Sequence, residues 1–154
     1  MSLHPDVPVR LRIPKLQVNV PVEPLGRTQS GEMQAPATRM STGWYNSGFL
    51  PGSIGNAAIA GHSTHIEGRG AFYDLAKLTP GDEVHLDTAS HRQTFRVAAA
   101  RTYPSDATQL QDIFGPGTKA RLNLITCTGI WSAAAENYSD RLVVFTEFAD
   151  ERPL

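Results

Sequence analysis

The sequence predicts an all-β fold, because short alternating apolar runs are separated by frequent turn residues. The chain has 154 residues, of which 13 are glycine and 11 are proline, and this composition favours many turns over long helices. About eight short strands and about two short helices can be placed on these patterns. We therefore expect a closed barrel of about eight strands with short helices, since closure removes the exposed edges of a sheet.

The first half of the chain supplies the early strands of this barrel. Residues 9–13 alternate apolar and charged side chains, and residues 16–22 alternate apolar and polar ones, as half-buried strands do. Pro21 has no backbone N–H to donate, so we expect the second strand to be an edge strand or to carry a bulge. A long stretch rich in Gly, Pro, Ser and Thr covers residues 24–55. Residues 56–61 then form an apolar run of small side chains, which predicts a central strand.

The second half contains both short helices and the remaining strands. Apolar residues at threefold spacing in 71–78 predict a helical turn, and the apolar pattern of 110–114 predicts a short helix. Between them, alternating residues at 84–86 and 95–99 predict a hairpin. The last two strands are predicted at 121–126 and 141–148.

Charge and length limit the possible functions. The formal net charge is −1 and the pI is about 6.5, and the Lys and Arg residues are scattered, so neither nucleic acid nor an anionic membrane surface is an expected partner. The length suits one domain. A single cysteine excludes an internal disulfide and leaves open a reactive thiol.

Three chemically useful residues lie at predicted strand ends. Cys127 ends the alternating run 122–127 beside a Thr-Gly turn, a position that exposes the sulfur. His62 follows the strand at 56–61, and Arg141 precedes the last strand. A histidine accepts a thiol proton and returns it to a leaving amine, while an arginine stabilises a developing oxyanion. Together they are the minimum set for acyl transfer through a thioester.

Each of these residues also has a purely structural interpretation. A cysteine on an apolar strand is usually a small buried hydrophobe. A histidine after a glycine is often a turn residue, and an arginine before an apolar strand is often a solvated cap. Taken singly, none of them indicates a site; the arrangement of the three strand ends does.

That arrangement resembles the sortases, the cysteine transpeptidases of bacterial cell surfaces. Residues 59–62, Ile-Ala-Gly-His, resemble the family's strand that ends in the catalytic His, and residues 124–127, Leu-Ile-Thr-Cys, resemble its Leu-x-Thr-Cys signature. Residues 138–144 resemble the segment that carries its essential Arg. Asn123 departs from the Thr that many sortases have there, at a position without a chemical role. Further similar segments are Arg12–Pro14, Gly43–Tyr45, Pro51-Gly52, residues 71–75 and residues 80–84.

The resemblance implies an eight-stranded sortase barrel, of a kind similar to class E or F or to the general-purpose anchoring enzymes. Such an enzyme cleaves a Leu-Pro-x-Thr-Gly sorting signal between Thr and Gly through a thioacyl intermediate on Cys127. It then transfers the protein to an amine of a peptidoglycan precursor or a pilin lysine. His62 would be the acid and base, and Arg141 would position the signal and stabilise the oxyanion. The resemblance implies no cofactor and no metal, and leaves a calcium requirement open.

Three more residues are candidates near this site. Thr126 matches the family's Thr before the nucleophile, and its alternative role is that of an ordinary strand former. His65 is a second histidine that lines the cleft or competes as a base, and the resemblance favours His62 over it. Trp131 is expected to flank the cleft on the loop after the cysteine.

The resemblance also implies a domain division and a location. Residues 1–8 are an N-terminal lead-in that begins like a cloning remnant, 9–149 are the catalytic domain, and 150–154 are a C-terminal tail. The expected location is the extracytoplasmic face of a bacterial membrane, with an anchor outside these residues and the chain itself soluble. One alternative is a non-enzymatic barrel, a degenerate relative that binds peptide or glycan. A papain-like hydrolase is another, although its nucleophile starts a helix.

Overall fold

The computed structural model describes residues 1–65, 67–106 and 110–154, without the side chains of His65 and Leu110. Its strands are β1 (Arg10–Ile13), β2 (Val18–Leu25), β3 (Thr42–Tyr45), β4 (Gly55–Gly61), β5 (Thr64–His65), β6 (Gly68–Arg69), β7 (Glu83–Asp87), β8 (His91–Pro104), β9 (Ala120–Ser132) and β10 (Asn137–Pro153). Its helix is α1 (Leu110–Phe114), with short 3₁₀ turns at Pro14–Leu16 and Leu75–Lys77.

Eight of these strands form a closed barrel in the order β1-β2-β3-β4-β9-β10-β8-β7. The barrel closes because β7 pairs with β1. The β2–β3 and β4–β9 pairs are parallel and the other barrel pairs are antiparallel. Strands β5 and β6 form a separate two-stranded sheet. The predicted closed eight-stranded barrel with short helices is therefore confirmed.

The main hydrophobic core fills the barrel. Every barrel strand contributes to it, because alternate side chains of each strand point inward. A smaller apolar cluster lies on the opposite, outer face of β8, β9 and β10, where helix α1 packs. Its buried members are Tyr103, Ile113, Val143 and Phe145. Fully buried residues of the main core include Leu11, Ile13, Ile59, Leu86, Phe95, Leu122 and Leu124.

The second strand is not at an edge, contrary to the prediction from Pro21. Strand β2 pairs with β1 on one side and with β3 on the other. Pro21 lies just before Val22, the first β2 residue paired with β3, so its missing N–H is tolerated. Its carbonyl oxygen remains an acceptor and receives a hydrogen bond from Thr42 Oγ1 at 2.9 Å.

The last two strands are longer than predicted, so Cys127 does not end its strand and Arg141 lies within its strand rather than before it. Strand β9 continues to Ser132 and β10 begins at Asn137, so the two form an antiparallel arm that extends past the residues paired with β4. Gly129 adopts a left-handed φ of 87° in this arm, and a Cβ there would lie 2.3 Å from Ser139 Oγ. Backbone pairing, rather than an apolar pattern, maintains the arm, which is why alternation did not reveal it.

Both chain ends pack against the barrel. The Ser2 N–H donates to the Gly52 carbonyl at 2.8 Å, and the Leu3 N–H donates to Glu151 at 2.6 Å. Strand β10 stays paired with β8 as far as Pro153. Across the described residues, no helix has the length and apolar character needed to span a membrane.

Candidate active site

Strand register places His62 and Cys127 on one face of the sheet. The parallel pairing of β4 and β9 ends at Ala60 opposite Ile125. His62 and Cys127 each follow two residues later, and side chains two residues apart point to the same face. That face is the outer one, because His62 and Cys127 each lie three positions after a residue, Ile59 or Leu124, whose side chain points into the barrel core. Cys127 is partly exposed there, since β4 ends at Gly61 and does not cover it.

The same register brings Arg141 and Tyr103 into line with the cysteine. Arg141 is the direct partner of Cys127 across β9 and β10, and Tyr103 is the direct partner of Arg141 across β10 and β8. Directly opposite residues point to the same face and have Cβ atoms about 4.5–5.5 Å apart. A row of thiol, guanidinium and phenol therefore crosses three neighbouring strands.

A cleft of about 640 Å³ opens over this row and contains the predicted histidine, cysteine and arginine together. One wall is the segment 30–36, which precedes β3, and another is helix α1 with the end of β8. Thr126 and Asn137 also line it. The three residues predicted from separate strand ends thus share one concave surface.

His62 is held by its backbone and by its ring. Its carbonyl accepts a hydrogen bond from the Phe72 N–H at 3.0 Å. Gly70 packs so closely that a Cβ there would lie 2.1 Å from the His62 carbonyl oxygen. The ring Nε2 lies 2.8 Å from the Pro36 carbonyl oxygen. Because a carbonyl only accepts, Nε2 carries the proton, and Nδ1 is the basic atom of the neutral ring.

Thr126 connects the two strands next to the site. It is 5% exposed, and its hydroxyl donates to the Gly61 carbonyl at 2.8 Å. This bond joins the residue before Cys127 to the residue before His62, beyond the last register pair of β4 and β9. Thr126 therefore ties together the two chain segments that present the thiol and the imidazole.

Arg141 is oriented by the arm. Its Nη1 donates to the carbonyls of Asp140 at 3.0 Å and Tyr138 at 3.3 Å, and its Nη2 donates to Asn137 Oδ1 at 2.9 Å. All three acceptors are neutral. The guanidinium is thereby fixed in the cleft while its charge is left without a carboxylate among these partners.

Trp131 and His65 are placed differently from the three central residues. Trp131 is 54% exposed and packs edge-to-face on Tyr138, with ring centroids 5.2 Å apart. Tyr138 shares a hydrogen bond with the Thr64 hydroxyl, which fastens the arm near His62. The described lining of the cleft does not include Trp131. The side chain of His65 lies outside the described residues.

Two lining residues were missed by the sequence analysis. Tyr103 is 9% exposed, and its hydroxyl has no hydrogen-bond partner among the described residues. Asn137 is the side-chain acceptor for Arg141. A polar aromatic at the end of a long strand was a signal for Tyr103, but only the register reveals its neighbour. In the described part of the chain, no group of three or more His, Cys, Asp or Glu residues is arranged to hold a metal ion.

Comparison with known proteins identifies the family and similar folds. Residues 11–149 match the Sortase domain family. Sortase E1 from Streptomyces coelicolor, solved with a tripeptide in its active site, superimposes with a TM-score of 0.73 at 23% identity, covering 96% of this chain and 91% of that one. Sortase A from Listeria monocytogenes gives 0.73 at 23% identity, covering 97% and 92%.

A third similar structure is the sortase SrtA from Actinomyces oris. Its TM-score is 0.72 at 25% identity, with 99% of this chain and 86% of that one covered. No curated protein matches the chain. The similar structures carry different class letters, so they do not choose a class.

Proposed function

The chain belongs to the sortase family, and we propose that it is a cysteine transpeptidase acting on a Leu-Pro-x-Thr-Gly sorting signal. The observation that carries the proposal is the row in which Arg141 lies directly opposite Cys127, with His62 in the same cleft. These are the groups that acyl transfer through a thioester requires.

In the first half-reaction, His62 Nδ1 takes the Cys127 thiol proton, and the thiolate attacks the Thr carbonyl carbon of the signal. A C–S bond forms as the carbonyl π electrons move onto oxygen. When the carbonyl re-forms, the C–N bond to Gly breaks and the imidazolium donates its proton to the departing amine. The product is a thioacyl enzyme together with a free Gly amine.

In the second half-reaction, an acceptor amine attacks the thioester carbonyl and His62 removes the proton from that amine. A C–N bond forms, the C–S bond breaks, and the thiolate regains the proton from the imidazolium. We propose that the acceptor is an amine of a peptidoglycan precursor or a pilin lysine, and that the reaction takes place outside the cytoplasmic membrane. A class similar to E or F, or general-purpose anchoring, belongs to the same proposal.

Arg141 serves both half-reactions in this proposal. Its N–H groups donate to the carbonyl oxygen that becomes an oxyanion, and its fixed positive charge stabilises that oxygen. The Asn137 and backbone bonds hold the guanidinium in place beforehand, so it does not reorganise during the reaction. Thr126 would keep the strand segments carrying His62 and Cys127 at a constant separation.

The direct test is mass spectrometry of products from a small set of sorting peptides, with glycine or amino-sugar acceptors. We expect cleavage between Thr and Gly and a new bond from Thr to the acceptor amine. Cys127→Ala should abolish turnover and leave the fold intact, because the thiol forms the covalent bond. Turnover by the purified Ala variant would refute the proposal, and peptide binding without turnover in the native protein would favour a binding module.

The assignment of the base is tested by a pair of histidine variants. His62→Ala should lower turnover by at least about 10²-fold, the lower range for a positioned acid–base group. His65→Ala is the matched variant and should lower it much less. If His65→Ala lowered turnover more than His62→Ala, His65 would be the base.

A further inference from the structure

One peptide group links a carboxylate to the ring of His62. The carbonyl of the Pro36–Ala37 peptide accepts from His62 Nε2 at 2.8 Å. The N–H of the same peptide donates to Glu23 Oε1 at 2.8 Å. Glu23 and His62 therefore bind opposite ends of a single amide plane.

Such an arrangement strengthens both hydrogen bonds. The carboxylate withdraws the amide hydrogen in a charge-assisted bond and shifts electron density towards the carbonyl oxygen. That oxygen becomes a better acceptor for the imidazole N–H. The effect on His62 resembles that of a carboxylate that bonds a histidine directly, as in a Ser-His-Asp triad, except that an amide stands between them.

The segment that carries this peptide is anchored on its N-terminal side. Residues 26–34 form a small hairpin in which the Gln34 N–H donates to the Gly26 carbonyl at 2.9 Å and Gln34 Oε1 accepts from the Gly26 N–H at 3.1 Å. Pro36 is buried, and its ring restricts φ. Glu23, in β2, then fixes the peptide that follows Pro36. The carbonyl is thus aimed at His62 by barrel strand and hairpin together.

We propose that Glu23 is a positioning residue for His62, acting through the Pro36–Ala37 peptide. It keeps the neutral imidazole in the tautomer with the proton on Nε2, so that Nδ1 is the atom that accepts the Cys127 thiol proton. The effect of Glu23 on the His62 tautomer does not depend on any activity. The effect on turnover rests on the proposed function. Glu23 lies in the sequence between Val22 and Pro24, with no motif that marks it.

Nuclear magnetic resonance of ¹⁵N-histidine-labelled protein tests the tautomer without any substrate. The chain has five histidines, and the His62→Ala spectrum identifies the His62 ring signals. In the native protein the neutral ring should show a protonated Nε2 and an unprotonated Nδ1. A protonated Nδ1 in the native protein would overturn the proposal, whatever the variants do.

Two variants of Glu23 separate its roles. Glu23→Ala removes the acceptor and should give a mixture of the two tautomers, whereas Glu23→Gln retains an acceptor oxygen and should preserve the Nε2–H form. Glu83→Ala is the matched control, because Glu83 is an exposed glutamate on β7, away from the cleft. A native-like tautomer ratio in Glu23→Ala would also overturn the proposal. If Glu23→Ala does not fold, loss of the Nε2–H form in Glu23→Gln would overturn the proposal instead.

Kinetics then connects the tautomer to turnover. Glu23→Ala should lower kcat by about 10-fold and change KM by less than about twofold, because it misplaces a base without removing a substrate contact. Glu23→Gln should recover most of the kcat. An unchanged kcat in Glu23→Ala would refute the positioning role. If the native protein shows the Nε2–H tautomer and no turnover, the proposed function fails and the assignment of Glu23 to the tautomer stands.

Discussion

Two arginine sites of this barrel differ in what surrounds their charge. Arg92, in β8, donates to Asp87 through Nε at 2.7 Å and Nη2 at 3.1 Å, and Arg12 donates to the same carboxylate at 3.2 Å. Asp87 is 5% exposed. Arg141 instead donates to two backbone carbonyls and to the Asn137 amide oxygen.

The difference separates arginines that compensate a buried carboxylate from an arginine whose hydrogen-bond acceptors are all neutral. At Asp87 the guanidinium charges compensate a buried carboxylate, so removing either side leaves an unpaired charge. At Arg141 the partners are neutral, so they hold the guanidinium in place without compensating its charge. Burial and hydrogen bonding alone would not distinguish the two sites; the charge of the acceptors does.

In this comparison of arginine sites, the largest effect is expected at Arg141. Arg141→Lys should lower turnover by about 10²–10³-fold, as loss of an oxyanion donor does, because an ammonium cannot reproduce the planar fork of donors. The rate at which a small alkylating reagent labels Cys127 should stay the same, since labelling needs only the thiolate. Both rates would be measured on the variant and the native protein. Equal turnover would make Arg141 a solvated strand residue.

Asp87 should show the opposite behaviour, with a loss of stability and no loss of turnover. Asp87→Asn weakens the bonds from Arg92 and Arg12 and leaves both cations without their carboxylate. We expect the free energy of unfolding to fall by about 1–3 kcal/mol at neutral pH. Urea denaturation measures it, with Glu83→Ala as an exposed acidic control on the same strand. A normal unfolding free energy would mean that this ion pair does not support the barrel.

The pH dependence of stability provides a smaller test of the same pair. Burial by itself would raise the pKa of Asp87, but the hydrogen bonds from Arg92 and Arg12 outweigh it and lower that pKa below its ordinary value. A lowered folded-state pKa stabilises the fold above the ordinary Asp value of about 3.9, and the contribution is lost as pH falls through the folded-state value. Native protein and Asp87→Asn should therefore differ at neutral pH and converge below about pH 4. If the two proteins differed in stability by a constant amount down to the lowest pH, the lowered pKa of Asp87 would not be the cause of the difference.

The smallest effect is expected at Tyr103, beside Arg141 in the register. Its buried hydroxyl has no partner among the described residues. Tyr103→Phe removes that unsatisfied group and should raise the unfolding free energy by up to about 1 kcal/mol. Thermal unfolding measures the change. A clear destabilisation would show that the hydroxyl has a hydrogen-bond partner in solution.

Local patterns predicted most strands of the barrel but missed β3 (Thr42–Tyr45), which lies within the Gly-, Pro-, Ser- and Thr-rich stretch 24–55. Alternation in residues 9–13 and 122–127 predicted strands that the structure contains, because side chains two apart share a face whatever the strand pairs with. His62, Cys127 and Arg141, which the structure places in one cleft, were selected because each stands where an apolar run meets polar residues. The family followed from their order along the chain and is confirmed.

The register across strands was not available from local patterns. That Tyr103 lies opposite Arg141, and Arg141 opposite Cys127, depends on pairings between residues far apart in sequence. The extension of β9 through Cys127 escaped prediction because paired backbone, not alternation, forms the arm. The edge or bulge predicted from Pro21 was wrong because β2 pairs in register with β1 and also with β3, a parallel partner that follows a long connection and that no local pattern reveals.

The sequence by itself determined the candidate residues His62, Cys127 and Arg141 and the strands that carry them, since both follow from side-chain type and local period. The tertiary structure alone decided how those residues are held. His62 is the clear case, because the Pro36 carbonyl that accepts from its ring lies 26 positions away in the chain. Such contacts are made by whatever atoms the closed barrel brings together, and a backbone carbonyl leaves no trace in the identity of its residue.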